Sequence, residues 1–175
     1  MSNRPWTTTI ISVGCLSGIG DVVAQQAVER RGFKNHDLRR TANFTAIGLV
    51  MVAPCMRAWY ITLDRLVKGT GTTVAIKKML LDQSLWAPTI IASIFAAVDL
   101  LEGKTMEQFK QKFDESYFTA LKTNWCVWPF VQIFNFYFVP LQHRVIIVNV
   151  VAIFWNTYLA WITNAASATQ NKKEE

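Results

Sequence analysis

Five polar side chains stand where their chemistry is most costly. Asp21, Gln25, Arg57, Gln132 and Asn135 each interrupt a long apolar run. Hydrocarbon offers a carboxylate, guanidinium or amide no partner. Such a group therefore either lines a polar path or ties one helix to another. Both readings stay open from sequence. Asp82 and Asp99 also fall in an apolar run, nearer its ends, where local pairing is the simpler account. Lys78 precedes Asp82 by one helical turn and is its expected ion-pair partner.

Residues for most other chemistries are absent in the spacing that chemistry needs. No HExxH, P-loop, GxSxG or CxxC pattern occurs. Gly18-Ile19-Gly20-Asp21 lacks the third glycine and the preceding strand of a dinucleotide fingerprint. His36 and His143 stand in connectors and suit surface or headgroup contact. Cys15, Cys55 and Cys126 lie in apolar runs at no metal-ligand spacing. They read as small packing residues, with a redox-sensitive pair across helices as the alternative. The expectation is no catalytic residue, no cofactor, no metal and no enzyme activity.

The elements that must position these groups are membrane helices. The 175-residue chain is 51% hydrophobic, and its charges cluster in connectors, leaving long uncharged runs. Residues 6–28, 44–62 and 79–101 are each long enough to span a hydrocarbon core. In the first, Gly14 and Gly18 form a G-x-x-x-G pair on the face that carries Asp21 and Gln25, a geometry for close helix packing. Residues 105–122 read as an interfacial amphipathic helix opened by a Thr105–Gln108 capping box. Its inward face carries Met106, Phe109, Phe113 and Tyr117, with Lys112 turned outward.

Residues 125–139 follow. At about 100° per residue, Trp125, Trp128, Gln132 and Asn135 share one face, while Phe130, Ile133 and Phe134 take the other. Such a helix is inside-out for water and suits lipid outside and polar contacts inside. Its amide face is the expected partner of the Gly14 and Asp21 face. After Pro140, residues 145–163 are uncharged. Whether 125–139 and 145–163 both cross the membrane is open.

Net charge is +6. The basic residues sit in short connectors, which fits juxtamembrane anchoring rather than nucleic-acid binding. No cleavable secretory signal or Arg-rich presequence is read at the N-terminus, so an internal address is expected.

Several blocks together resemble one family. They are Gly20-Asp21 with Gln25-Gln26-Ala27-Val28-Glu29-Arg30-Arg31-Gly32, Trp59-Tyr60 with Leu63-Asp64-Arg65, and Lys77-Lys78-Met79-Leu80-Leu81-Asp82-Gln83 with Ala87-Pro88. Trp128-Pro129 with Gln132, Asn135-Phe136, Val139-Pro140-Leu141, Arg144 and Trp155-Asn156-Thr157-Tyr158-Leu159 follow. In this order they resemble the Mpv-seventeen / twenty-two-kilodalton peroxisomal membrane protein family, over nearly the whole chain and most closely its mitochondrial inner-membrane branch.

The resemblance implies a small helical membrane protein with four spans. It also implies a channel of low selectivity that influences membrane potential and whose loss disturbs nucleotide pools and depletes mitochondrial DNA. Ala53 and Arg57 depart from the family's usual residues, so no charge selectivity is carried over.

The resulting expectation is an all-α integral membrane bundle of four or five apolar helices plus one interfacial amphipathic helix. Residues 1–163 form its single domain, and 164–175 a polar tail without fixed structure. The function expected is a channel for small solutes in the mitochondrial inner membrane, with the peroxisomal membrane as the alternative location. A non-conducting scaffold for a partner complex is the alternative function. Expected partners are the bilayer and small solutes or ions; self-association stays open, and direct nucleic-acid binding is not expected. Asp21, Gln25, Arg57, Gln132 and Asn135 are the expected pore-lining or interhelical set, Gly14 and Gly18 the packing pair, and Lys78 with Asp82 the structural ion pair.

Overall fold

The computed structural model describes residues 5–69, 71–138 and 144–174, and the joint at Pro140 lies outside the described residues. The described chain is helical almost throughout. α1 (Pro5–Val23) runs through a π-helical turn (Ala24–Val28) into a connector holding the short 3-10 turn Phe33–Asn35. α2 (Leu38–Ala46), the π turn Ile47–Val52 and α3 (Ala53–Leu66) form the second long helix. α4 (Thr72–Leu81), the π turn Asp82–Trp86 and α5 (Ala87–Glu102) form the third. α6 (Met106–Lys112), the π turn Phe113–Tyr117 and α7 (Phe118–Phe138) form the fourth. α8 (Arg144–Glu174) closes the chain and continues through the polar tail, whose Ala165, Ala166 and Ala168 favour helix.

Among the described residues, three helices are long and apolar enough to cross a membrane: Thr9–Val28, Leu38–Leu66 and Thr72–Glu102. The protein is an all-α membrane helical bundle. The second and third spans exceed the apolar runs because their charged flanks are helical too. Asp37 caps α2 by accepting from the Arg40 backbone N–H at 2.9 Å. α4 begins after Gly71 and α5 ends at Gly103, both at positive φ. Apolar side chains such as Val50, Phe130 and Phe154 project outward, as a lipid-facing surface requires.

Two of the π turns end two residues before a proline. Pro54 and Pro88 are each the second residue of the α-helix that follows such a turn. A proline ring crowds the carbonyl four residues back and removes an N–H from the ladder. Here those carbonyls belong to Val50 and Ser84, inside the wide turns. The extra residue relaxes the helix where the ring needs space.

The amphipathic segment is present, with its capping box formed. Phe113 and Tyr117 stack at 4.1 Å, and both meet Phe95 of α5 edge-on at 6.5 Å. Met106 is exposed, however, and Lys112 is buried. The reason is angular. Lys112 is three residues after Phe109 and four before Ser116, so it shares their inward face. Its ammonium pairs with the buried Asp99 carboxylate of α5.

Glycines decide how closely the helices approach. The Gly14 and Gly18 face docks antiparallel on the second helix, not on the amide face of residues 125–138. A Cβ at Gly14 would stand 2.3 Å from Leu49 Cδ2, and one at Gly18 would stand 2.4 Å from Thr45 Oγ1. Gly48 answers from the other side: a Cβ there would meet Ser17 Oγ at 2.6 Å and Gly14 Cα at 3.1 Å. One turn beyond Gly18, Asp21 meets Thr41 in the same register.

Gly20 faces α8. Its Cβ would lie 2.5 Å from Asn156 Cβ and 2.9 Å from the Thr157 backbone nitrogen. The obstacle at Gly20 includes backbone, whereas at Gly14 it is the side chain of Leu49 alone, its branch carbon Cγ together with Cδ2. Overpacking costs about 1–3 kcal/mol against a helix-propensity gain of about 1 kcal/mol common to both sites. Both Gly20→Ala and Gly14→Ala are therefore expected to lower the unfolding temperature in detergent, Gly20→Ala the more, because backbone cannot turn aside as a side chain can. Equal effects would show that the α1–α8 contact is looser than described.

Candidate functional site

Two polar assemblies occupy the bundle. The first joins α1, α2 and α8. Arg40 Nε bonds Asp21 Oδ1 at 2.6 Å, and its Nη1 pairs with Glu29 Oε1 at 2.7 Å. Arg40 Nη2 donates to the Ala160 carbonyl of α8 at 3.2 Å. The second Asp21 oxygen accepts from Thr41 Oγ1 at 2.6 Å and from Gln25 Nε2 at 2.8 Å. Gln25 also clamps the connector, accepting from the Asp37 N–H at 2.7 Å and donating to the Asp37 carbonyl at 3.0 Å. Asp21 and Gln25 are fully buried, and Arg40 is 6% exposed. A buried pair of this kind is stable only when hydrogen bonds engage the remaining donors and acceptors, as they do here.

The second assembly surrounds a cavity of about 1250 Å³ among the long helices. Gln83, Asn124, Gln132, Asn149 and Asn156 line it, with Asp82 among them. Asp82 Oδ1 accepts from the Trp59 indole N–H at 2.9 Å, and Trp59 stacks on Trp86 at 5.8 Å. Asn124 Nδ2 donates to Gln83 Oε1 at 2.8 Å, and Trp125 Nε1 donates to the Gln83 carbonyl at 2.9 Å. The π turn Asp82–Trp86 thus presents Asp82 and Gln83 to α3 and α7 respectively.

The residues singled out from sequence separate accordingly. Asp21 and Gln25 do not line the cavity; they belong to the ionic cluster. Gln132 does line it. Arg57 lies by a smaller pocket with Thr9, Tyr60 and Asp64. Asn135 is on α7, and its side chain lies outside the described residues. Lys78 bonds Asp64 of α3 at 2.5 Å rather than Asp82. An indole N–H away from water is costly to leave without an acceptor, so Trp59 takes Asp82, while Lys78 reaches the more exposed carboxylate. Cys15, Cys55 and Cys126 are free thiols on the apolar exterior rather than packing residues of the core.

Arg40 and Lys112 escaped the sequence reading because both sit among connector or surface charges. The available signal was the need of Asp21 and Asp99 for a cation. Among the described residues, no group of His, Cys, Asp and Glu has the arrangement to hold a metal.

Fold and site together define a small polytopic helical membrane protein built around an interhelical cavity. The Mpv17 / PMP22 family model matches residues 99–160. The mitochondrial inner membrane protein Mpv17 of Danio rerio is 45% identical over 94% of this chain and 93% of its own length. The Homo sapiens protein of that name is 40% identical over 92% of each. Protein sym-1 of Neurospora crassa is 42% identical over 93% of this chain and 94% of its own. No solved structure matches. The chain belongs to the Mpv17 / PMP22 family, and it is a multi-pass protein of the mitochondrial inner membrane.

The ionic cluster carries a direct test. Removing one partner of a buried pair costs about 3–5 kcal/mol, because the other charge is stranded. Arg40→Ala is expected to destabilise the detergent-solubilised protein by that order. Arg40→Ala combined with Asp21→Ala should lose clearly less than the sum of the two single changes. Additive losses in a thermal-unfolding cycle would show that the pair is not coupled.

Proposed function

We propose that this protein provides a path for small solutes across the mitochondrial inner membrane, with the interhelical cavity as part of that path. The observation that supports it is the set of amides on the cavity wall. Gln83, Asn124, Gln132, Asn149 and Asn156 come from three different helical segments. Gln83 and Asn124 partner one another, and a wet passage supplies further partners to amides that would be costly in a bilayer without them. Uncharged amides also offer both donors and acceptors, so they discriminate weakly between solutes. That matches the low selectivity the family resemblance implies, with support of membrane potential and of the nucleotide pool for mitochondrial DNA as its consequence. In this reading the protein is no enzyme. Asp21 and Gln25 act by holding the bundle together.

The measurement is single-channel recording of the purified protein in a planar bilayer. Asn124→Leu and Gln132→Leu each replace a cavity amide by hydrocarbon of similar size. Each is expected to reduce conductance several-fold, while Arg57→Ala leaves it near the wild-type value. Wild-type conductance in both leucine variants would sink the assignment. Absence of any current from folded wild-type protein would favour a non-conducting scaffold.

A further inference from the structure

The charges on the cavity wall do not balance. Among its described lining residues, Asp64, Lys78 and Asp82 carry charge, two carboxylates against one ammonium. Lys78 Nζ is taken by Asp64 Oδ1 at 2.5 Å. Asp82 is left with neutral donors, the Trp59 indole N–H at 2.9 Å and Gln83 Nε2 at 3.2 Å. Such donors stabilise a carboxylate without cancelling its charge. The wall therefore presents one net negative charge. Hydrocarbon around it, Ile90, Ile91 and Ile94 among the lining side chains, keeps the local dielectric below that of water.

That charge decides against one chemical group. A phosphate monoester carries about two negative charges near neutral pH and is held where Arg or Lys side chains are free to meet it. Here the ammonium on the wall is already engaged. Arg65, Lys68 and Lys77, on and beside the α3–α4 turn, are exposed and are not among the described lining residues. Salt screens surface charges of this kind over about 8 Å. Arg57 stands by the smaller pocket instead.

The rest of the wall suits a different solute. Its amides offer both N–H donors and carbonyl acceptors, and Trp86, Trp128 and Trp155 add indole rings. A hydroxyl group can exchange water for an amide without bringing a charge into the cavity, and the C–H face of a sugar can lie on an indole.

We propose that the path admits neutral, hydroxyl-bearing solutes, the class of free sugars and polyols, and turns back their phosphate esters. This rests on the cavity being part of the path. The weak discrimination ascribed to the amides then holds among neutral solutes and ends at the phosphate group, with Asp82 as the residue that sets the limit.

The test loads phosphatidylcholine vesicles containing the full chain with N-acetylglucosamine and glucose 6-phosphate, two solutes of similar bulk and different charge. Release of each is timed at neutral pH against protein-free vesicles. Wild type is expected to release the neutral sugar roughly tenfold or more faster than the ester. Asp82→Asn keeps an oxygen for the Trp59 indole but removes the charge, and should lower that ratio several-fold. Asn149→Lys puts an unengaged ammonium on the wall from α8 and should lower it as well.

Release of the two solutes at similar rates by wild type overturns the proposal and leaves the path standing. Release of neither overturns both. Should Asn149→Lys fail to fold, Asp82→Asn decides alone: an unchanged ratio overturns the assignment.

Discussion

One buried ion pair sets the terms for the bundle. Asp21 lies on the glycine face of α1, where no water reaches it, and Arg40 lies on the facing side of α2. A carboxylate in that position is tolerable only with a cation beside it and donors on its second oxygen. Arg40, Thr41 and Gln25 fill those roles, and doing so fixes the path of the connector, because Gln25 holds the Asp37 peptide on both sides. The guanidinium then reaches past α1 to the Ala160 carbonyl of α8. The first, second and last long helices of the chain are thereby set against one another by a single side chain. The glycines make the same arrangement possible sterically. Gly18 and Gly48 let α1 and the second helix close, and Gly20 lets α8 close from another direction.

What could be read from the sequence follows what chemistry imposes locally. Apolar run length located the spans, and the Thr105–Gln108 box located the start of α6. Gly14 and Gly18 lie against the second helix, since small residues serve close approach whatever the partner. Their partner was not legible, because Thr45, Gly48 and Leu49 carry no signal that distinguishes them from other span residues. The charged groups show the same limit. Asp21 announces that it needs a cation, but Arg30, Arg31, Arg39 and Arg40 are indistinguishable candidates until the connector's path is known. Lys78 was assigned to Asp82 by spacing along one helix, and tertiary competition from Trp59 overrode it. Gln132 lies on a regular stretch of α7 and lines the cavity. Lys112 shares the inward face of Phe109 and Ser116, but as a charged residue on a short helix it reads as solvent-facing until Asp99 is known to need a cation.

The cavity collects what these constraints leave over. Trp86, Trp128 and Trp155 stand on its wall, where α1 and α2 have glycines instead at their contact. The space is lined unevenly, amides toward α7 and α8 and hydrocarbon toward α1 and α5. Such a lining suits neither pure water nor pure lipid.

The π turns have a mechanical consequence. Each carries one residue more than the α-helical turn it replaces, and in an α-helix one residue corresponds to about 100° of rotation. Three of them interrupt the second, third and fourth long helices, and one of these contains Asp82 and Gln83. Moving or removing a wide turn would swing everything beyond it about the helix axis while shifting it only a residue's rise along that axis. The bundle is therefore rigid in length but adjustable in angle. Which groups face the cavity is a matter of rotation, set at a few short turns rather than along whole helices.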